Sequence, residues 1–328
     1  MAILWCGAED LDFRLNISGV TTAAADSYRR VHLGAGAGVT TVPLIGSPFP
    51  GGAITSCWLH SKTGAAFDNG NAEQMLIGLT RSTKTAGEGL WLKVDTPKTR
   101  IALGTWDGSS FVELAVDTGF HVAQASVPYF FDMQVTSYGA SATVNVYVNG
   151  NLACTFTGDT RISSLTDLDQ VAIVGDTTNQ RTMSSEVVVA DEDTRAMRLV
   201  TLAPNATDGG STFTGNATTI DETSLDQADS SYSNTNDNIG LFGLTDTAGT
   251  YAVKAVMLSV RATKSSDSTP TKIALGVKSG ASTDAGSDQA LTTDWAHYMR
   301  LMTTNPITTN PWTTAELDAL LLQVKARA

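Results

Sequence analysis

A chain of 328 residues, 42% of them apolar, is long enough for two domains and can bury a core in each. The formal net charge of −12, with no cluster of Lys and Arg, excludes wrapping of DNA or RNA, and with only 16% charged residues the surface must be built from Ser, Thr and Asn. No apolar run approaches the length of a membrane span and no basic segment followed by an apolar core opens the chain, so neither membrane insertion nor export on its own signal is expected.

The N-terminal stretch gives weak signals. Glu9-Asp10-Leu11-Asp12 reads as a solvated turn in preference to a cation site. Gly34, Gly36 and Gly38 alternate with Ala, but a nucleotide-loop pattern fails at Val39 and Thr41, so a pliable loop is expected. Pro43, Pro48, Pro50, Gly51 and Gly52 extend this irregular segment to Ile54.

From Ser56 the chain reads as β. Short apolar segments recur at residues 57–59, 75–79, 90–94, 101–103, 111–116, 129–135, 171–174 and 186–190, separated by turn residues such as Asp68-Asn69-Gly70 and Asp107-Gly108. Strands at this spacing, with no helical period between them, predict two antiparallel sheets packed face to face. Asn149-Gly150 marks a hairpin between Val144 and Phe156. A two-residue loop would split the apolar side chains between two faces, so a three-residue loop is predicted, Val148-Asn149-Gly150, setting Val146 opposite Leu152 and Val144 opposite Cys154. Cys6, Cys57 and Cys154 are odd in number and lack metal-ligand spacing, which makes them buried thiols.

The segment from Tyr129 to Asp159, above all Val146-Tyr147-Val148-Asn149-Gly150, resembles the corresponding part of laminin-G and concanavalin-like jelly rolls. That resemblance implies a β-sandwich but no single activity, because the fold serves lectins, glycosidases, adhesion modules and passive virion parts. The Glu-x-Asp-x-x-Glu strand motif of the related glycosidases is absent.

Asp191-Glu192-Asp193-Thr194-Arg195 reads as a charged, exposed link, dividing the chain into residues 1–195 and 196–328. In the second part a long polar stretch, 204–238, precedes clear strand periodicity. Val256, Leu258, Val260 and Ala262 form one inward face, Ile273, Leu275 and Val277 a second, and Trp295, His297, Met299 and Leu301 a third. Thr313 and Glu316 have capping-box spacing, and Leu317, Leu320, Leu321 and Val324 follow at helical spacing, predicting a helix over 313–326 with Lys325 and Arg327 at its C-terminal end. So short a helix is marginal alone, so Trp312, Leu317, Leu320, Leu321 and Val324 should dock on their own domain or on a partner protein.

Ile220-Asp221-Glu222, Asp226 and the 229–232 run, then the strand pair, Asn305-Pro306 and Pro311 to Leu317, resemble in order a C-terminal module of tailed-bacteriophage structural proteins, over roughly Met197 to Ala328. Ser230-Ser231 depart from it, standing where Thr is commoner. The resemblance implies a component of the virion, head or tail, assembled in the host cytoplasm beside other virion proteins in several copies, and it brings no catalytic residues.

No other pattern supplies chemistry. His32, His60, His121 and His297 are scattered, and there is no nucleophile elbow or phosphate loop; His60 or His121 beside a carboxylate could act as a base, but a structural role is preferred. Asn234, Asn236, Asn238 and Gly240 lack the acids of a calcium loop and read as a polar turn. Trp58, Trp91 and Trp106 are the candidates for a sugar-stacking platform, Trp106 and Trp91 foremost, against the plainer reading as core. The expectation is therefore an all-β protein of two antiparallel sandwich or jelly-roll domains with a short C-terminal helix. It would be non-enzymatic, need no cofactor or metal, and act through other virion proteins or, alternatively, as an adhesin on a host glycan.

Overall fold

The computed structural model describes residues 3–7, 13–14, 20–21, 31–32, 34–35, 43–46, 49, 51–65, 74–84, 87–95, 100–119, 129–162, 164–174, 182–221, 229–265 and 269–328. Expectations for residues 9–12, 36–41, Pro48, Pro50, 68–70, His121, Glu222 and Asp226 lie outside them. The chain divides into two compact units, Met1–Leu199 and Val200–Ala328, and the described residues are nearly all β.

The first unit carries β1 (Ile3–Gly7), β2 (Phe13–Arg14), β3 (Val20–Thr21), β4 (Val31–His32), β5 (Gly34–Ala35), β6 (Pro43–Gly46), β7 (Cys57–Ala65) and β8 (Gln74–Thr80). There follow β9 (Gly89–Asp95), β10 (Arg100–Trp106), β11 (Phe111–Val116), β12 (Tyr129–Val135), β13 (Ala142–Val148), β14 (Asn151–Gly158), β15 (Gln170–Val174) and β16 (Thr182–Ala190). One sheet runs β1-β16-β7-β12-β13-β14, with β4 beside β16, and the other runs β11-β10-β9-β8-β15-β6-β2. Alternation supplies the buried faces: Leu59, Phe131, Met133, Val144 and Val146 on the first sheet, and Ile77, Leu79, Leu90, Leu92 and Leu103 on the second. Cys6, Cys57 and Cys154 are buried thiols, as expected. Burial pushes the thiols of Cys57 and Cys154 up to about 12.

Two expectations for the strands of this unit fail. The N-terminal segment is not irregular throughout, because β1 pairs with β16 and Pro43–Gly46 lies between β15 and β2. Proline is tolerated there as the first residue of a strand. The hairpin loop has two residues: Asn149 and Gly150 take φ of 48° and 81°, and Val148 pairs with Asn151. The surplus residue sits in the strand instead. The register shifts between Tyr147, paired with Leu152, and Val146, paired with Cys154, so Ala153 forms a bulge and keeps the valines inward.

The second unit has β17 (Pro204–Thr207), β18 (Ile239–Leu244), β19 (Val256–Ala262), β20 (Lys272–Ser279), β21 (Ser282–Asp284), β22 (Asp288–Ala290), β23 (Ala296–Met302), α1 (Thr314–Asp318) and β24 (Leu321–Arg327). Its main sheet runs β17-β18-β24-β20-β21, with β22 also on β20, and β19 pairs with β23. The predicted helix over 313–326 is corrected to five residues. Its capping box forms, Thr313 Oγ1 accepting from the Glu316 amide and Glu316 accepting from the Thr313 amide, but the chain leaves the helix at Ala319. Leu321–Arg327 becomes a central strand because it gains ladders to both β18 and β20 and buries both of its faces, which outweighs its modest helical period. Lys325 and Arg327 consequently pair with Asp237 instead of capping a helix.

The inward face of β23 is also the opposite of that expected. Tyr298 and Met302 are buried, whereas Trp295, His297, Met299 and Leu301 are half-buried. Val260 pairs with Tyr298 and Val256 with Met302, so the two strands share that face. Arg300 is accommodated on it by donating to the Leu275 carbonyl at 3.0 Å and pairing with Asp284. On β20 both faces are covered from Ile273 to Val277, where one was expected.

Candidate functional site

Among the described residues, the outer face of the β7-β12-β13 sheet gathers the most varied chemistry. Register places Trp58, Gln134, Asn145 and Thr155 in one row across the strands, His60, Asp132 and Tyr147 in the next, and Lys62 with Phe130 in a third. These side chains alternate with the core residues Leu59, Phe131 and Met133, so the face is dictated by the same period-2 pattern that builds the core.

The first row is a polar ladder ending on an aromatic. Asn145 Nδ2 donates to Gln134 Oε1 and Thr155 Oγ1 donates to Asn145 Oδ1, both at 2.9 Å. Trp58 stacks on Tyr147 with ring centroids 5.7 Å apart and planes 20° apart, and both rings are half-buried. In the second row His60 Nδ1 lies 2.7 Å from Asp132 Oδ1, with the imidazole stacked 5.7 Å from Phe130. Both members of this pair are buried, and His60 Nε2 and Asp132 Oδ2 have no hydrogen-bond partner. With 0% exposure the imidazole holds its neighbours in place in this structure, so the structural role preferred from the sequence fits His60.

The link 191–195, expected as exposed, is laid onto this face. Thr194 is buried and its hydroxyl donates to Asp132 Oδ1 at 2.8 Å. The Arg195 guanidinium lies 4.6 Å from the Tyr147 ring centre and 5.5 Å from that of Trp58, and Arg198 lies 4.0 Å above Phe130. Arg195 is also held in a fork by Asp193, whose hydrogen bonds from Arg195 keep its carboxyl below the usual range. Cation–π contacts at exposed sites are worth about 0.5–1 kcal/mol each and a hydroxyl-to-carboxylate bond about 1.5–3 kcal/mol, so the segment is held by a few kcal/mol.

The two tryptophans placed foremost from the sequence are on the other sheet. Trp91 is 0% exposed, opposite Leu90 and Leu92 in facing, and packs with Ala172, Met75, Trp106 and Phe111. Its Nε1 donates to the Gly87 carbonyl at 2.9 Å, and a Cβ added at Gly78 would stand 2.3 Å from its ring. A sealed ring of this kind cannot stack on a sugar, so Trp91 is withdrawn as a glycan contact. Trp106 is half-buried against it. In the second unit Trp312, Leu317, Leu320 and Val324 are buried in that unit's own core, and Leu321 is half-buried, so they dock on their own domain. Among the described residues no group of three His, Cys, Asp or Glu could hold a metal, and no helix is long and apolar enough to cross a membrane.

No protein-family model matches the chain, and no curated protein matches it. Solved structures do. The carbohydrate-binding module CBM66 of Bacillus subtilis is 12% identical, with 53% of this chain and 97% of that one covered at a TM-score of 0.34. An endo-β-1,4-glucuronan lyase of the fungus Trichoderma reesei is 9% identical, covering 58% and 96% at 0.41. A carbohydrate esterase of the Shiga toxin-encoding bacteriophage phi24B is 12% identical, covering 54% and 89% at 0.38. One binds and two are enzymes, and likeness at this level assigns neither role to this chain.

Proposed function

We propose that the protein is a non-enzymatic structural component of a tailed-phage particle, present in several copies and acting through contacts with other capsid or tail proteins. The observation that supports this is how the second unit uses the residues that carry its resemblance to phage structural proteins. Asn305, 2% exposed, donates to Glu316 Oε1 at 3.0 Å and accepts from the Ile307 amide at 2.9 Å, while Trp312 Nε1 donates to the Met302 carbonyl at 3.1 Å. With the Thr313–Glu316 cap they close the chain back onto its own sheet. The residues that carry the resemblance are thus used to hold the unit's own fold. Quantitative mass spectrometry of purified particles should find the protein at a fixed ratio to the major capsid protein. Its presence in the lysate and absence from the particles would contradict the proposal.

A second reading is favoured by the first unit: recognition of a host-surface glycan. The half-buried Trp58–Tyr147 pair offers a stacking surface beside the Gln134–Asn145–Thr155 ladder, which can exchange hydrogen bonds with sugar hydroxyls. Affinity gels cast with neutral polysaccharides should retard the protein, and Trp58→Ala should abolish the retardation.

A further inference from the structure

We propose that residues 191–199 are a displaceable strap that gates the Trp58–Tyr147 face, an inference that rests on the second reading above. A guanidinium over an aromatic ring and a pyranose ring over the same aromatic ring compete for one surface, so Arg195 must leave before a sugar can stack. The strap is built to leave at low cost. The charge of Arg195 is matched within the strap by Asp193, and Arg198 Nη1 donates to the strap's own carbonyls of Arg195 and Met197. Both cations therefore keep these partners when the segment lifts, and what is given up includes ring stacking, the Thr194 hydrogen bond to Asp132 and the attraction of Arg195 for Asp132.

Lifting also changes what lies beneath. His60 Nε2 and Asp132 Oδ2 are buried and unpartnered with the strap in place. Buried polar atoms of this kind carry a desolvation cost that a ligand hydroxyl can relieve. The closed state thus keeps two hydrogen-bonding atoms and two ring faces in reserve. The ligand class that uses both is a neutral sugar, whose ring stacks while its hydroxyls reach the polar pair.

Trypsin cuts after Arg195 and Arg198, so native-state cleavage of the full chain reports the open strap directly. Arg195→Lys/Arg198→Lys keeps charge and cleavage sites but loses the planar stack. We expect it to be cut about tenfold faster than the parent while both units stay folded, and to bind laminarin, dextran or hydroxyethyl cellulose in affinity gels about tenfold more tightly, since a larger fraction is competent. Thr194→Val, which leaves the stacks intact, should move both readouts the same way. Unchanged cleavage in both variants overturns the strap whatever the gels show. Faster cleavage with no retardation of any form on any of the three polysaccharides overturns the glycan reading and the gating with it.

Discussion

Trp58 and Trp91 occupy comparable places, each on a strand of a sandwich sheet and each pointing away from the leucines beside it, yet only one is open to a partner. Trp91 faces glycine across the ladder on both sides, Gly78 and Gly104; its ring fills the space a side chain at Gly78 would have taken, and Phe111 fills that at Gly104. Trp58 faces Gln134, and its ring is left between Tyr147 and a strap that is itself removable. The cross-strand neighbour, more than the tryptophan, decides whether an aromatic is a structural plug or a recognition surface.

The sharpest way to break this contrast is truncation. Trp91→Ala should cost the first unit about 3–5 kcal/mol, seen as a large fall in its denaturation midpoint, because a sealed ring leaves a cavity. A midpoint unchanged by that substitution would mean the ring is not a plug. His60→Ala should come next, at roughly 3 kcal/mol, since it leaves the Asp132 carboxylate buried with the Thr194 hydroxyl as its remaining hydrogen-bond donor. In the second unit Glu316→Ala should lower the denaturation midpoint slightly through loss of the cap, without affecting glycan retention by the first. Smallest is the effect of acid on the strap. Asp193 is held below its ordinary value, so its bridge to Arg195 is fully present above about pH 4 and is lost as the pH falls through the lowered value. Because that bridge lies within the strap and is kept whether the strap is closed or lifted, hydrogen exchange at residues 193–199, corrected for intrinsic rates, should change little across that window.

Much of the fold was legible, and the failures have physical causes. Strand segments such as Phe111–Val116 and Tyr129–Val135 were visible because alternation and turn residues act locally. Leu321–Arg327 was not, because a strand buried on both faces has the same apolar density as a helix stripe, and only its two neighbours decide. The inward face of β23 was hidden because both alternations in Ala296–Met302 carry apolar residues, and Arg300 made the true one look polar. Nothing around Ala153 announces a bulge. The recognition face was half legible: Trp58 was a candidate, but Tyr147, Asn145 and Gln134 become its neighbours only through register. The strap was invisible, since Asp191 to Arg195 has the composition of a solvated link and the buried carboxylate that holds Thr194 lies 62 residues away.

The most direct test of the contrast is to make Trp58→Ala in the full chain and measure polysaccharide retardation and the denaturation midpoint of the first unit on the same preparation. Retardation should vanish while the midpoint moves by no more than about 1 kcal/mol of stability, the worth of one aromatic pair. Undiminished retardation, or a loss of stability as large as that expected for Trp91→Ala, would contradict the assignment of this face to recognition.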